Sequence, residues 1–104
     1  ALDDDDVQNN IKIFIVGLGS KARPVVAKLT KELRQENLSC EYDMLRRSMK
    51  SQMREANKLG AKYVIIIGEN ELQQNQAELK DLTTGNQEKV GLDSIVKHMS
   101  SLSF

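Results

Sequence analysis

The sequence predicts a single α/β domain: a five-stranded mixed sheet, three parallel strands plus a C-terminal hairpin, with three helices packed on its faces. Three observations carry that prediction. Residues 11–16 and Tyr63–Ile67 are almost continuously apolar and β-branched, as strands covered on both faces must be. Apolar residues recur at helical spacing between successive strands. After Gly68 the pattern changes: residues 76–82 alternate, Thr83-Thr84-Gly85-Asn86 is a turn-forming cluster, and residues 87–92 can return as a hairpin partner. A chain of 104 residues has room for one core.

Residues 1–10 are polar and acidic, lack apolar periodicity and read as a linker or tail; the domain occupies residues 11–102. In the first strand, residues 11–16, only Lys12 breaks the apolar run. Ala22, Val25, Val26, Leu29 and Leu33 then form one helical stripe. Pro24 is tolerated only in a first turn, so this helix starts within residues 20–23, and it fades near Glu36-Asn37. Residues 39–45 alternate, with Cys40, Tyr42 and Met44 on one face and Glu41 and Asp43 on the other, which suits a strand nearer a sheet edge. A second stripe follows in Met49, Met53, Ala56 and Leu59, with Ser48 placed to cap its start and Gly60 to take the left-handed position that ends it. Tyr63–Ile67 is the third strand, and right-handed crossovers make the three parallel. Residues 76–82 and 87–92 form the hairpin. Asp93 is expected to cap a last helix whose apolar face is Leu92, Ile95, Val96, Met99 and Leu102.

Composition excludes several functions. No apolar run approaches the roughly 18 to 20 residues needed to cross a bilayer, and the acidic start does not read as a secretory signal. Cys40 is the sole cysteine and His98 the sole histidine, far apart in sequence. Neither a cysteine nucleophile with its base nor a four-ligand metal site can be assembled from them. Cys40 reads as a buried thiol in a reducing, cytoplasmic setting. No catalytic constellation is present, and the domain needs no cofactor of its own.

Net charge is zero, yet unevenly spread. Asp3, Asp4, Asp5 and Asp6 hold four of the 15 acidic residues, so residues 7–104 carry +4. Residues 20–62 have 11 basic and 5 acidic side chains, whereas residues 63–104 have 3 and 6. A basic half on a neutral chain suits a polyanionic partner, although such a stretch can equally be a solvated face.

In a parallel α/β sheet, ligands gather at the carboxyl ends of the strands. Three loops lie there: Gly17-Leu18-Gly19-Ser20, Arg46-Arg47-Ser48 leading to Lys50 and Gln52, and Gly68-Glu69-Asn70-Glu71. Cations at a helix N-terminus cost up to about 1 kcal/mol each against the dipole, a cost a bound phosphate reverses. Arg46, Arg47 and Lys50 therefore read as phosphate-facing, unless Arg46 or Arg47 pairs with Glu41 or Asp43 just upstream. Gly17-x-Gly19-x-x-Ala22 followed by Glu41 or Asp43 also fits a dinucleotide fingerprint. Against it stand the missing second nucleotide-binding half and Pro24, which removes an N–H from the helix start.

Arg47-Ser48-Met49-Lys50-Ser51-Gln52 and the continuation through Ala56, Lys58, Gly60, Ala61 and Tyr63 to Gly68-Glu69 resemble a signature of the C-terminal anticodon-binding domain of histidyl-tRNA synthetases. Glu71-Leu72 and Leu79-Lys80-Asp81-Leu82-Thr83-Thr84-Gly85-Asn86-Gln87 are similar to that family's downstream E-L and hairpin motifs. Glycyl-, prolyl- and threonyl-tRNA synthetases carry related domains with looser matches.

The resemblance implies the same five-stranded, three-helix fold and a domain that performs no catalysis. It implies that the domain holds the anticodon stem-loop of a histidine tRNA while a separate catalytic domain, using ATP and Mg²⁺, charges the tRNA, in a parent that is a cytoplasmic homodimer. The implied tRNA-binding residues are Arg46, Arg47, Lys50, Gln52, Gln73, Glu78, Lys80, Asp81 and Thr83, whose polar groups suit the exposed edges of unstacked bases and their phosphates. In the alternative, the same fold serves a synthetase-like regulatory protein through protein contacts. The departure is Lys21, Arg23 and Pro24 after Gly19-Ser20, where family members often have an acidic or alanine-rich helix start.

Overall fold

The computed structural model describes residues 12–43 and 48–102. The acidic run at residues 3–6, Ile11, Met44, Arg46 and Arg47 lie outside the described residues. The chain runs β1 (Ile13–Gly17), α1 (Ala22–Gln35), β2 (Cys40–Tyr42), α2 (Met49–Lys58), β3 (Tyr63–Ile67), α3 (Glu69–Gln73), β4 (Gln76–Asp81), β5 (Gln87–Gly91) and α4 (Ile95–Ser100). The strands form one five-stranded sheet in the order β2-β1-β3-β4-β5. β1 pairs parallel with β2 and β3, while β4 pairs antiparallel with β3 and with β5. The mixed five-stranded sheet read from the sequence is therefore the one that forms, and its alternating strand β2 is an edge.

Local chemistry sets the element ends. The Ser48 hydroxyl accepts the Ser51 N–H at 3.3 Å and opens α2, and Gly60 closes it with φ +74°. Pro24 sits in the first turn of α1, where its missing N–H costs nothing. Two expectations need correction. Among the described residues there are four helices, because Glu71 reaches back to accept the Gly68 N–H at 2.8 Å and winds what read as a loop into α3. Asp93 does not cap α4. Its carboxylate takes the Asn75 side-chain N–H at 3.1 Å, and Ser94 opens the helix without a side-chain cap.

The sheet divides the core unequally. On one face Ile13, Ile15, Ile65, Ile67, Ala77, Leu79 and Val90, drawn from four strands, pack under α1 and α4 through Val26, Leu29, Leu33, Ile95 and Met99. On the other, only Phe14, Val16, Val64 and Ile66 of β1 and β3 are covered, by Met53 and Ala56 of α2 with Leu18, Leu59, Ala61 and Leu82. α1 approaches β1 closely: a Cβ on Gly17 would stand 2.9 Å from Val26 Cγ2.

Candidate nucleic-acid interface

The unequal cover exposes half of one sheet face. The rows crossing the sheet there are Phe14–Val64–Lys80–Gln87 and Val16–Ile66–Glu78–Lys89. Directly opposed residues share a face, so each row turns from buried apolar to polar at the step from β3 to β4. Beyond α2 the ribbon of β4 and β5 thus presents Glu78, Lys80, Gln87 and Lys89 as a platform. Gln87 donates its amide N–H to Glu78 at 2.9 Å, bracing that part of the ribbon. Among the described residues, Lys80 and Lys89 are in no ion pair. Gln87 and Lys89 were not among the sequence-derived candidates, because only the β4–β5 register places them beside Glu78 and Lys80.

The candidate residues do not form one cluster. Lys50 is exposed in the first turn of α2, at the carboxyl ends of β1 and β3. Asp81 pairs with Tyr63, the first residue of β3, so the hairpin turn lies at the opposite end of the sheet. Gln73 is exposed at the end of α3. Asp81 Oδ1 accepts the N–H groups of Thr83 at 2.8 Å and Thr84 at 3.3 Å, so this carboxylate organises its own turn and fixes where the exposed Thr83 stands.

Gln52 requires a correction. Only 1% exposed, it receives the Gly17 N–H on Oε1 at 3.2 Å and donates Nε2–H to the Gly17 carbonyl at 3.0 Å. The ladder between β1 and β2 ends at Ile15↔Tyr42, and this carboxamide supplies Gly17 with the donor and acceptor another strand would offer. Its match to the family signature offered it as a tRNA contact; its burial makes it a tie between α2 and β1.

The start of the glycine loop is likewise committed. The Gly17 N–H is held by Gln52 and the Leu18 N–H by the Ile67 carbonyl at 3.0 Å. Those of Ala22 and Arg23 return to the Gly19 and Ser20 carbonyls at 3.2 and 3.3 Å. Pro24 contributes none, so the first turn of α1 offers few amides to a pyrophosphate, which weakens the dinucleotide reading. A cavity of about 300 Å³ does open beside them, lined by Ile15, Val26, Tyr42, Arg23 and Asp43 among others.

Glu41, offered above as a partner for Arg46 or Arg47, is 3.4 Å from Arg34, which also donates twice to the Cys40 carbonyl and covers that sheet edge. Cys40 is buried, and its thiol is pushed up to about 12 by desolvation, against smaller opposing effects from Thr30 and Arg34. Among the described residues, no group of three or more His, Cys, Asp and Glu could hold a metal ion, and no helix is long and apolar enough to cross a membrane.

The family model described as "Anticodon binding domain" matches residues 12–102, nearly the whole chain. The chain belongs to the anticodon-binding domain family. Histidine–tRNA ligases of Staphylococcus aureus strains JH9 and Newman are 39% identical to it over 93 residues, 89% of this chain and 22% of theirs. The structure of apo S. aureus histidyl-tRNA synthetase superposes with a TM-score of 0.85 at 38% identity, covering 92% of this chain and 25% of that one. Histidyl-tRNA synthetase from Nostoc sp. PCC 7120 gives 0.78 at 27% identity, covering 86% and 21%. The RNA binding domain of threonyl-tRNA synthetase from Cryptosporidium parvum Iowa II also gives 0.78, at 24% identity over 90% of this chain and 24% of that one, which shows the shared fold. This anticodon-binding domain spans 22% of the length of the curated relatives it matches. The likeness read from the α2 signature and the hairpin motif is thus borne out over most of the domain.

Proposed function

We propose that this domain holds the anticodon stem-loop of a histidine tRNA for a cytoplasmic, homodimeric histidine–tRNA ligase, whose separate catalytic domain uses ATP and Mg²⁺. The observation that carries the reading is the uncovered ribbon, a polar half-face beside the strands that α2 roofs. Such a surface matches unstacked loop bases, whose edges offer both donors and acceptors. Lys80 and Lys89 supply donors and Glu78 an acceptor, while Gln73 and Thr83 extend the polar surface at its two ends. Asp81 holds the turn. Lys50 faces phosphate at the start of α2, and Arg46 and Arg47 precede it in the chain. Likeness to histidine–tRNA ligases supports the choice of histidine tRNA.

Titrating the chain with a histidine-tRNA anticodon hairpin and with a scrambled-loop hairpin tests this. The expected result is preference for the authentic loop, with Lys80→Glu lowering affinity at least tenfold through charge reversal beside RNA. Equal binding of both hairpins would reduce the ribbon to a non-specific surface.

A further inference from the structure

α2 carries a feature that the ribbon reading leaves unused. Lys50, Arg54 and Lys58 recur every fourth residue and are all exposed. Arg54 lies about 200° round the helix from Gln52, so the three cations form the ridge opposite the buried side. Like charges at this spacing destabilise a helix. The first turn contains no acidic residue, and Lys50 adds its charge to the positive end of the dipole. Glu55, the sole acid in α2, lies off the ridge and already interacts elsewhere. α1 differs: Lys28 has Glu32 four residues on, and Arg34 is paired with Glu41. The α2 ridge thus stores repulsion that an anionic ligand would relieve.

We propose that Lys50, Arg54 and Lys58 form a rail that takes consecutive phosphates of one strand of the anticodon stem. Four residues of helix advance about 6 Å, close to the separation of neighbouring phosphates along a strand. The rail also ends in the right place. Past Gly60, the Lys62 carbonyl accepts the Leu82 N–H at 2.9 Å, which sets the C-terminal end of α2 beside the hairpin. Backbone contacts of this kind position the RNA and leave base choice to the ribbon. The proposal rests on the tRNA reading above.

The experiment measures binding of the histidine-tRNA anticodon hairpin to this chain as a function of salt. The variant Lys50→Gln/Arg54→Gln/Lys58→Gln retains helix propensity. Its log–log salt slope is expected to fall by about 2, at ~0.7 per phosphate contact, with about hundredfold weaker binding at 0.1 M salt. Preference for the authentic loop is retained, and Lys50→Arg/Lys58→Arg keeps the parent slope. Lys28→Gln/Lys31→Gln/Lys97→Gln removes equal charge from α1 and α4 and should change the slope by less than half as much. An unchanged slope in the α2 variant, or an equal fall in the control, overturns the rail while loop preference in the parent upholds the tRNA reading. Failure of the parent to bind at low salt removes both.

Discussion

Gln52 and Lys50 stand two residues apart in α2, and replacing each tests whether burial separates a structural amide from a ligand-facing cation. Gln52→Met keeps length and volume but removes both hydrogen bonds to Gly17, at 3.2 and 3.0 Å. The Gly17 N–H and carbonyl then lose partners beneath a side chain that is 1% exposed. An unsatisfied buried polar group costs about 1–3 kcal/mol, and the better burial of a thioether offsets part of this, so the expected loss is about 2–4 kcal/mol. Against the total of about 5–15 kcal/mol usual for a domain, that is a large fraction. At ~4 °C per kcal/mol near this chain length, the melting midpoint should fall about 8–16 °C. Urea unfolding followed by circular dichroism reads the same loss as a lower midpoint at unchanged slope. Lys50→Gln should stay within about 0.5 kcal/mol of the parent and weaken RNA binding instead. If Gln52→Met melts within ~2 °C of the parent, the tie between α2 and β1 is not what that amide is for.

Three other perturbations follow from the packing. Gly17→Ala would push a methyl to 2.9 Å from Val26 Cγ2 and should cost about 1–3 kcal/mol; adding Val26→Ala should recover part of it, which a double-mutant cycle measures. Glu71→Ala removes the acceptor of the Gly68 N–H and should cost about 1 kcal/mol, with amide exchange at Gly68 accelerating first. Cys40, raised from an ordinary 9 to about 12 by burial, binds its proton more tightly folded than unfolded. That contribution is complete below pH 9 and is lost between pH 9 and about 12, at up to about 1.4 kcal/mol per pH unit. Comparison with Cys40→Ala isolates it: if the two proteins lose stability in parallel across that window, the thiol is not the cause. Native-state modification by a thiol reagent at pH 8 should be slow and proceed through opening.

Much of the fold was legible because its signals are local. The apolar runs of β1 and β3, Pro24 at a helix start, and Ser48 and Gly60 at the two ends of α2 each depend on backbone geometry within a few residues. The misreadings share one cause, competition for a polar group. Glu71 could have been a solvated loop acid and instead winds α3; Asp93 could have capped α4 and instead meets Asn75, 18 residues away in the chain. Short-range chemistry shows which groups can bond, whereas the choice among partners is made in space.

The same division applies to the candidate site. Sequence by itself determined the alternation of apolar and polar residues in β4, the cations of α2 and the family likeness, since these are properties of residue type and spacing. Only the tertiary structure decided that α2 roofs β1 and β3 and stops there, bringing Lys89 and Gln87 beside Glu78 and Lys80 on an open half-face. It also decided that Gln52 faces inward. A period-two pattern separates the two faces of a strand, but which face meets a helix depends on how that helix crosses the sheet, and no spacing within a strand encodes the crossing.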